Sequence, residues 1–336
     1  GPVAAAASVL GMTNMRGARV LGGGTSNTAA QAISHIREAA AQLFIARGAY
    51  VAQINPATWA LVAMKTLVAV VRGMQLWFGK LRIGMGGTLA LQTVTGVNAA
   101  TAAVFTNQQV SGVDVLAKEM AVGNDRLWYM NASPSGANEN QLRFTQDDFV
   151  SQSSGFTVGD PGVNGTGIGI MGPFTVAGSE TGMFGFTDEG VPFNIALALQ
   201  DARSSDNARK FAFQYGWLYA VTTLGLYAMR GQIANPVGIG SDRLIGFEGF
   251  DGKPLTVMAW RESLFVAYED SAGTTWRILE GRFNPQLTPV TGDLDWHMLV
   301  QRTNATIRGI GATPTPTLPT IVWGARPSPL ARTSRP

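Results

Sequence analysis

Residues 263–283 read SLFVAYEDSAGTTWRILEGRF, and this stretch decides the fold class. Two runs, 264–268 and 276–279, are rich in β-branched, aromatic and aliphatic residues. Between them Glu269-Asp270-Ser271-Ala272-Gly273 supplies a turn, because Gly273 tolerates φ > 0 and Asp270 and Ser271 bond nearby backbone. Two apolar runs around a Gly-containing polar gap predict an antiparallel hairpin.

The same pattern recurs upstream. It appears at 42–54 (QLFIARGAYVAQI, turning at Arg47-Gly48), at 74–85 (MQLWFGKLRIGM, turning at Gly79-Lys80) and at 125–145. It appears again at 181–195 and at 216–229, the latter turning at Leu224-Gly225. Aligned at Leu43, Leu76, Leu127, Met183, Leu218 and Leu264, the hairpins follow one another at intervals of 33, 51, 56, 35 and 46 residues. Most intervals leave room for one more apolar strand, expected at 67–71, 113–122, 174–176, 209–213 and 255–260. Four strands per 40 to 50 residues is the period of a β-propeller blade. A lone blade leaves both faces bare, and packing blades about an axis covers them. The expectation is an all-β chain folded as a single propeller of five to seven blades, six being preferred over a β-sandwich. The strand-like piece 296–300 has no evident partner after it.

Residues 27–41 predict a helix with Ile33, Ile36 and Ala40 on one side. Residues 1–34, rich in Ala, Gly, Ser and Thr, read as an extended N-terminal arm, with the propeller over 35–302. Residues 303–336 form a Pro/Arg-rich C-terminal arm that contains the polyproline-like run 309–319. Arg302, Arg308, Trp323, Arg326, Arg332 and Arg335 make this second arm the expected partner-docking segment.

Composition narrows the chemistry. The chain of 336 residues has no Cys and only two His, His35 and His297, which argues against thiolate sites and most zinc or iron sites. Charged residues make up 14%, hydrophobic residues 46%, and the net charge is +3. The basic ends could touch nucleic acid, although protein neighbours suit them better. No apolar run reaches the ~18 residues that would predict a membrane span.

Individual motifs yield little. Residues 269–276 are similar to the Asp-box of sialidase-type propellers in Gly273, Thr275 and Trp276, but Ser271 stands at the Asp position. That box stabilises a turn. Asp147, Asp148, Glu189, Glu248, Asp293 and Asp295 could supply the two carboxyl groups of a glycosidase, yet nothing in the sequence selects a pair. The run 165–170, GTGIGI, lacks the Lys-Ser/Thr of a phosphate loop and reads as a flexible approach to a strand. His35 is expected at the surface and His297 at a blade edge. Trp77, Trp128, Trp217, Trp260, Trp276 and Trp296 are expected in the core, with a minority available to line a carbohydrate platform. No catalytic residue, cofactor site or metal site is assigned.

The stretches QLFIARGAYVAQI, GMQLWFGKL, NDRLWYMN, GIGIMGPFTVAGSETGMFGFTDEG and YGWLYAVTTLGLYAM resemble propeller-bearing structural proteins of tailed bacteriophages. The resemblance covers roughly 37–300. It implies a non-enzymatic virion component in a tail, tail tip or head–tail nozzle, assembling with other virion proteins and with copies of itself. The alternative is a receptor-binding module that holds host-surface glycan in polar loops at 133–140 and 151–165, with Ser133, Ser135, Asn138 and Asn140 as contacts. A sialidase-like glycoside hydrolase ranks third.

Overall fold

A computed structural model describes residues 12–14, 19–20, 33–58, 60–131, 140–160, 162–187, 190–195, 203–238, 252–270, 272–303, 305–313 and 320–327. In chain order, two short strands come first, β1 (Met12–Asn14) and β2 (Arg19–Val20). Blade one is β3 (Ile33–Ala39), β4 (Gln42–Arg47), β5 (Tyr50–Asn55) and β6 (Ala60–Thr66). Blade two is β7 (Gly73–Trp77), β8 (Lys80–Gly84), β9 (Gln92–Thr95) and β10 (Val104–Asn107), followed by a small hairpin, β11 (Gln109–Val110) and β12 (Val113–Asp114). Blade three is β13 (Met120–Gly123), β14 (Arg126–Asn131), β15 (Gln141–Thr145) and β16 (Phe156–Thr157). Blade four is β17 (Gly165–Met171), β18 (Phe174–Ser179), β19 (Gly182–Phe186) and β20 (Pro192–Asn194). Blade five is β21 (Lys210–Gln214), β22 (Trp217–Thr222), β23 (Gly225–Arg230) and β24 (Ile233–Val237). Blade six is β25 (Lys253–Trp260), β26 (Ser263–Glu269), β27 (Thr275–Phe283) and β28 (Leu294–Thr303), with a one-turn helix α1 (Thr288–Thr291) between its last two strands. Two further strands, β29 (Ala305–Thr313) and β30 (Thr320–Pro327), follow.

The chain is therefore a β-propeller. Six blades are antiparallel sheets of four consecutive strands, the preferred number. Between the sixth and the first stands one more four-stranded sheet, ordered β2-β1-β30-β29, drawn from both ends of the sequence. Its inner strand β29 packs against β25 on one side and β3 on the other, which closes the ring. The two arms are thus corrected in their described parts: 12–14, 19–20, 305–313 and 320–327 are sheet, not free extensions. The physical reason is that ATIRGIGAT and TIVWGARP carry the β-branched residues a sheet favours. Pairing them covers faces of blades one and six that would otherwise meet water.

The core lies between blades rather than within them. Phe44 and Val51 of blade one meet Leu81 and Ile83 of blade two. Trp128 and Leu142 of blade three meet Ala177 and Phe186 of blade four, and Tyr219 and Leu226 of blade five meet Val266 and Leu279 of blade six. Each such large side chain contributes ~1.5–3 kcal/mol when fully buried. The glycine run of β17 belongs to this packing. A Cβ on Gly167 would lie 2.5 Å from the Ala208 carbonyl oxygen, and one on Gly169 would lie 2.8 Å from the Phe211 ring. GTGIGI is therefore an inner strand whose glycine-bearing face has no side chains, so that the start of the next blade around Ala208 to Phe211 can approach.

Several other expectations change. Residues 33–39 form strand β3 and not a helix, because they pair with β4 from Ile33↔Arg47 to Ala39↔Gln42. Residues 67–71 make a connection rather than a strand, with the Leu67 and Val71 amides bonding to the Ala49 and Gly48 carbonyls. The piece 296–300 belongs to β28, which pairs backwards with β27. The hairpin at 74–85 turns at Phe78-Gly79, one residue earlier than read, since Trp77 pairs with Lys80. Likewise Thr222 pairs with Gly225, so that turn holds Thr223-Leu224. Among the described residues no helix is long and apolar enough to cross a membrane.

Candidate functional site: the ring channel and the proximal face

Strand direction alternates within each blade, so first-to-second and third-to-fourth connections all emerge at one end of the ring, here the proximal face. Hairpins of two residues need φ > 0 at the turn. Blade three meets this with Asn124-Asp125 and blade four with Gly172. Blades two, five and six instead put Phe78 (φ 48°), Tyr215 (φ 53°) and Arg261 (φ 53°) in the left-handed region. A bulky residue there costs ~1–2 kcal/mol, and such strain concentrates where a surface is used.

The same face is apolar. Phe78 is 56% exposed and Val150, in the β15–β16 connection, 77%. Val191, Phe213, Ile233, Phe283 and Val290 add exposed apolar groups from blades four, five and six. Among the described residues, the exposed large hydrophobics in connections at the opposite, distal face are Val68, Val70, Val113 and Leu224.

Between Tyr215 of blade five and the proximal end of blade six lies an open cavity of about 1080 Å3. Register explains its lining. Trp260 pairs with Ser263, Phe265 with Glu280, and Leu264 with Gly281, so Trp260, Ser263, Phe265, Glu280 and Arg282 share one face of blade six. The Arg261 guanidinium sits 4.7 Å from the centre of the Trp260 ring. Tyr215 and Phe283 meet edge to face with centroids 5.4 Å apart, while the Tyr215 hydroxyl donates to the Glu262 carbonyl. Glu280 accepts from the Ser263 hydroxyl at 2.7 Å and from Arg282 Nη2 at 3.0 Å. Burial pushes the Glu280 carboxyl up, but the bonds from Arg282 and Ser263 hold it below the usual carboxylate range.

A second cavity of about 480 Å3 occupies the ring channel, walled by β3, β7, β21, β25 and Ile310. Three blades bring charge together there. Lys210 Nζ lies 2.9 Å from His35 Nε2 and 3.8 Å from Glu119 Oε2. His35 Nδ1 lies 3.0 Å from the Ser34 hydroxyl. Burial, then Lys210, Arg37 and Arg209, hold the imidazole well below its ordinary 6.5, so His35 is neutral and accepts from the Lys210 ammonium. Burial pushes Glu119 up, against the pull of Lys210 and Lys118. Arg37 is exposed to the channel, and its Nε donates to the Met74 carbonyl at 3.1 Å. His35 is thus buried, contrary to expectation, because β3 is an inner strand.

The sequence-derived candidates fare unevenly. Asn140 is 3% exposed, its Nδ2 reaching the Asp160 carbonyl at 3.4 Å and its own carbonyl accepting from Val158, so it anchors a loop and is not offered to ligand. Ser133, Ser135 and Asn138 lie outside the described residues, as do Glu189, Glu248, Arg332 and Arg335. Arg302 is in β28, Arg308 in β29 at a break in register, and Trp323 and Arg326 in β30. Their backbones are tied into sheets, which removes the free docking arm.

Asp147 turns inward to Thr145 and Ser151, and Asp148 to Lys80 and Arg82. Asp293 accepts from the Leu294 amide and the Trp296 indole, and Asp295 accepts from Asn284. Asp270 accepts from the Thr274 amide and hydroxyl, so the Asp-box-like turn is held by a carboxylate one position ahead of the expected one. Trp77, Trp128, Trp217, Trp276 and Trp296 are buried. Trp260 is the partly exposed one and lines the cleft. Sequence reading missed Tyr215, Arg261, Glu280, Arg282 and Phe283. A bulky residue before Gly in a two-residue turn, as in Tyr215-Gly216, was the available signal.

No protein-family model and no curated protein sequence matches the chain. Among solved structures it is similar to a chain of the structure titled "Crystal Structure of Mitotic Checkpoint Complex". That match has a TM-score of 0.54 and 9% identity, and it covers 87% of this chain and 86% of the other. It is also similar to BamB from Moraxella catarrhalis, with a TM-score of 0.47, 11% identity and coverage of 87% and 84%. Hsv2 from Kluyvelomyces marxianus follows, with a TM-score of 0.44, 11% identity and coverage of 78% and 83%. Identities this low speak to fold alone, and the fold they accompany is the β-propeller.

Proposed function

We propose that this chain is a non-enzymatic assembly component, a structural subunit of a tailed-phage virion in the tail, tail tip or head–tail nozzle. In this reading it joins other virion proteins and other copies of itself through the proximal face. The observation that carries the reading is the set of exposed apolar side chains, Phe78 to Val290, spread over five blades on one side of a rigid ring. Such a surface is costly in water and useful once covered. The strained turns at Phe78 and Tyr215 fit a surface kept for contact. Docking through a face replaces docking through the C-terminal arm, since deleting 302–336 would remove β29 and β30 and open the ring.

The test is a double substitution, Phe78→Ser with Val150→Ser, made in a phage that encodes the chain. Both positions are exposed, so the thermal midpoint of the isolated protein is expected to stay within a few degrees. Purified particles analysed by mass spectrometry are expected to contain the unaltered chain and to lose the variant at least about tenfold, as for removal of an interface hot spot. Absence of the unaltered chain from particles overturns the virion reading. Normal incorporation of the variant overturns the proximal face as the docking surface.

A further inference from the structure

We infer that the cleft between Tyr215 and blade six binds a saccharide across the proximal rim of β27, stacking a sugar ring on Phe283, which Tyr215 braces edge-on, and reaching its hydroxyls with Arg282 and Glu280 from the other face of the strand. This goes beyond the assembly role, and it takes Phe283 out of the surface that assembly covers, leaving Phe78, Val150, Val191, Ile233 and Val290 for docking.

Four observations converge on that ligand class. First, the cleft is an open depression of about 1080 Å3, room enough for a sugar held at the surface. Second, its aromatic wall is held in place yet still presented. Phe283 is 48% exposed and is fixed edge-on by Tyr215, whose hydroxyl is tied back to the Glu262 carbonyl. An aromatic face of this kind suits the apolar C–H side of a pyranose. Third, the polar wall is pre-ordered. One Glu280 oxygen is fixed by Ser263 and the other by Arg282, and the Glu280 side chain remains 12% exposed while that of Arg282 is 61% exposed. A carboxylate holds up to four acceptor sites and a guanidinium five donors, so the adjacent pair can take neighbouring hydroxyls that both donate and accept.

Fourth, the formal charges cancel. Arg261 and Arg282 are matched by Glu262 and Glu280 around the cleft, so the lining carries no formal net charge, and a neutral hydroxyl-rich ring suits it. The left-handed backbone at Tyr215 and Arg261 places these two side chains at the cleft rim, at a local conformational cost that a simple Asn-Gly turn would have avoided.

The experiment presents the full chain to an immobilised panel of neutral and uronic-acid-containing oligosaccharides. The best-bound free oligosaccharide is then titrated calorimetrically into the unaltered protein, Arg282→Ala and Phe283→Ser. Both positions are exposed, and melting curves check that both variants fold. The inference expects a neutral oligosaccharide to bind and its affinity to fall about tenfold or more in each variant. A panel with no specific hit overturns it, as does a hit that both folded variants bind unchanged. If acidic oligosaccharides alone bind, the charge-balance argument is wrong and the assignment falls with it. Should a variant fail to fold, Glu280→Gln, which keeps the shape of the side chain, supplies the comparison and is expected to weaken binding likewise.

Discussion

Arg82 and Asp148 form the most consequential polar contact between two blades, and breaking it from either side should have unequal effects. Arg82 is fully buried on β8, and Asp148 is a one-third-exposed residue in the β15–β16 connection of the next blade. Thr93 and Gln108 also accept from the guanidinium, which sits 5.2 Å from the centre of the Phe149 ring. Burial lowers the Arg82 pKa and Asp148 partly restores it.

Asp148→Ala leaves a guanidinium enclosed without its counter-charge, which costs about 3 kcal/mol, the low end for a buried pair, because Asp148 is one-third exposed. Arg82→Met removes the buried charge itself. Asp148 then turns to water or to Lys80, its other partner, and the methionine stem packs near Phe149. The remaining loss is the Thr93 and Gln108 bonds, ~1–2 kcal/mol in all. The double variant should resemble Arg82→Met alone. Urea unfolding of the four proteins, followed by tryptophan fluorescence, gives the comparison. If Arg82→Met is as damaging as Asp148→Ala, or if the double variant shows the sum of the two losses, the reasoning fails.

Two further expectations follow from the channel and the inner strands. His35 is held neutral beside Lys210, Arg37 and Arg209, with its pKa depressed below 6.5. On lowering the pH through 6.5 the unfolded chain therefore takes up a proton that the folded chain refuses, and stability falls. His35→Gln should flatten the melting temperature between pH 7 and 5, and an unchanged slope would discard His35 as the source. A Cβ on Gly178 would lie 2.3 Å from the Ala208 carbonyl oxygen. Gly178→Ala should cost ~1–3 kcal/mol by overpacking, whereas Gly162→Ala, with open space around it, should be near neutral in the same denaturation assay.

Much of the architecture was legible because hairpins announce themselves locally. The runs around Phe44, Trp128 and Phe265 are short, continuously apolar and bounded by nearby turns, so pairing partners lie close in sequence. Phase was harder to read. The hairpin at Trp77 joins a first strand to a second, that at Tyr129 a second to a third, and that at Phe186 a third to a fourth. Mixing these phases produced the uneven spacing. Second strands begin at 42, 80, 126, 174, 217 and 263, a steadier interval of about 38 to 48 residues.

The sheet made by both ends was illegible for a physical reason. Met12 pairs with Gly324, and no local pattern reports a partner so far along the chain. Nor could the strand around His35 be told from a helix, since Ile33, Ile36 and Ala40 also fit a helical period. The cleft was invisible for a similar reason: Tyr215 sits in a turn of blade five, Trp260 on β25 and Phe283 on β27, and they converge only when blades five and six pack.

The sheet that joins Met12–Asn14 to Thr320–Pro327 also sets a timetable. Contacts within each of the six consecutive blades can form as soon as about 40 to 50 residues have left the ribosome. The ring, however, stays a horseshoe until residues near 327 emerge, because the two inner strands of its last sheet are the last described segments made. Until then the inner faces of blades one and six stand open to solvent and to neighbouring chains. Two nascent copies held close together could exchange their late strands, each closing the other's ring. Crowded synthesis would thus favour swapped dimers, while dilute synthesis would favour self-closed rings.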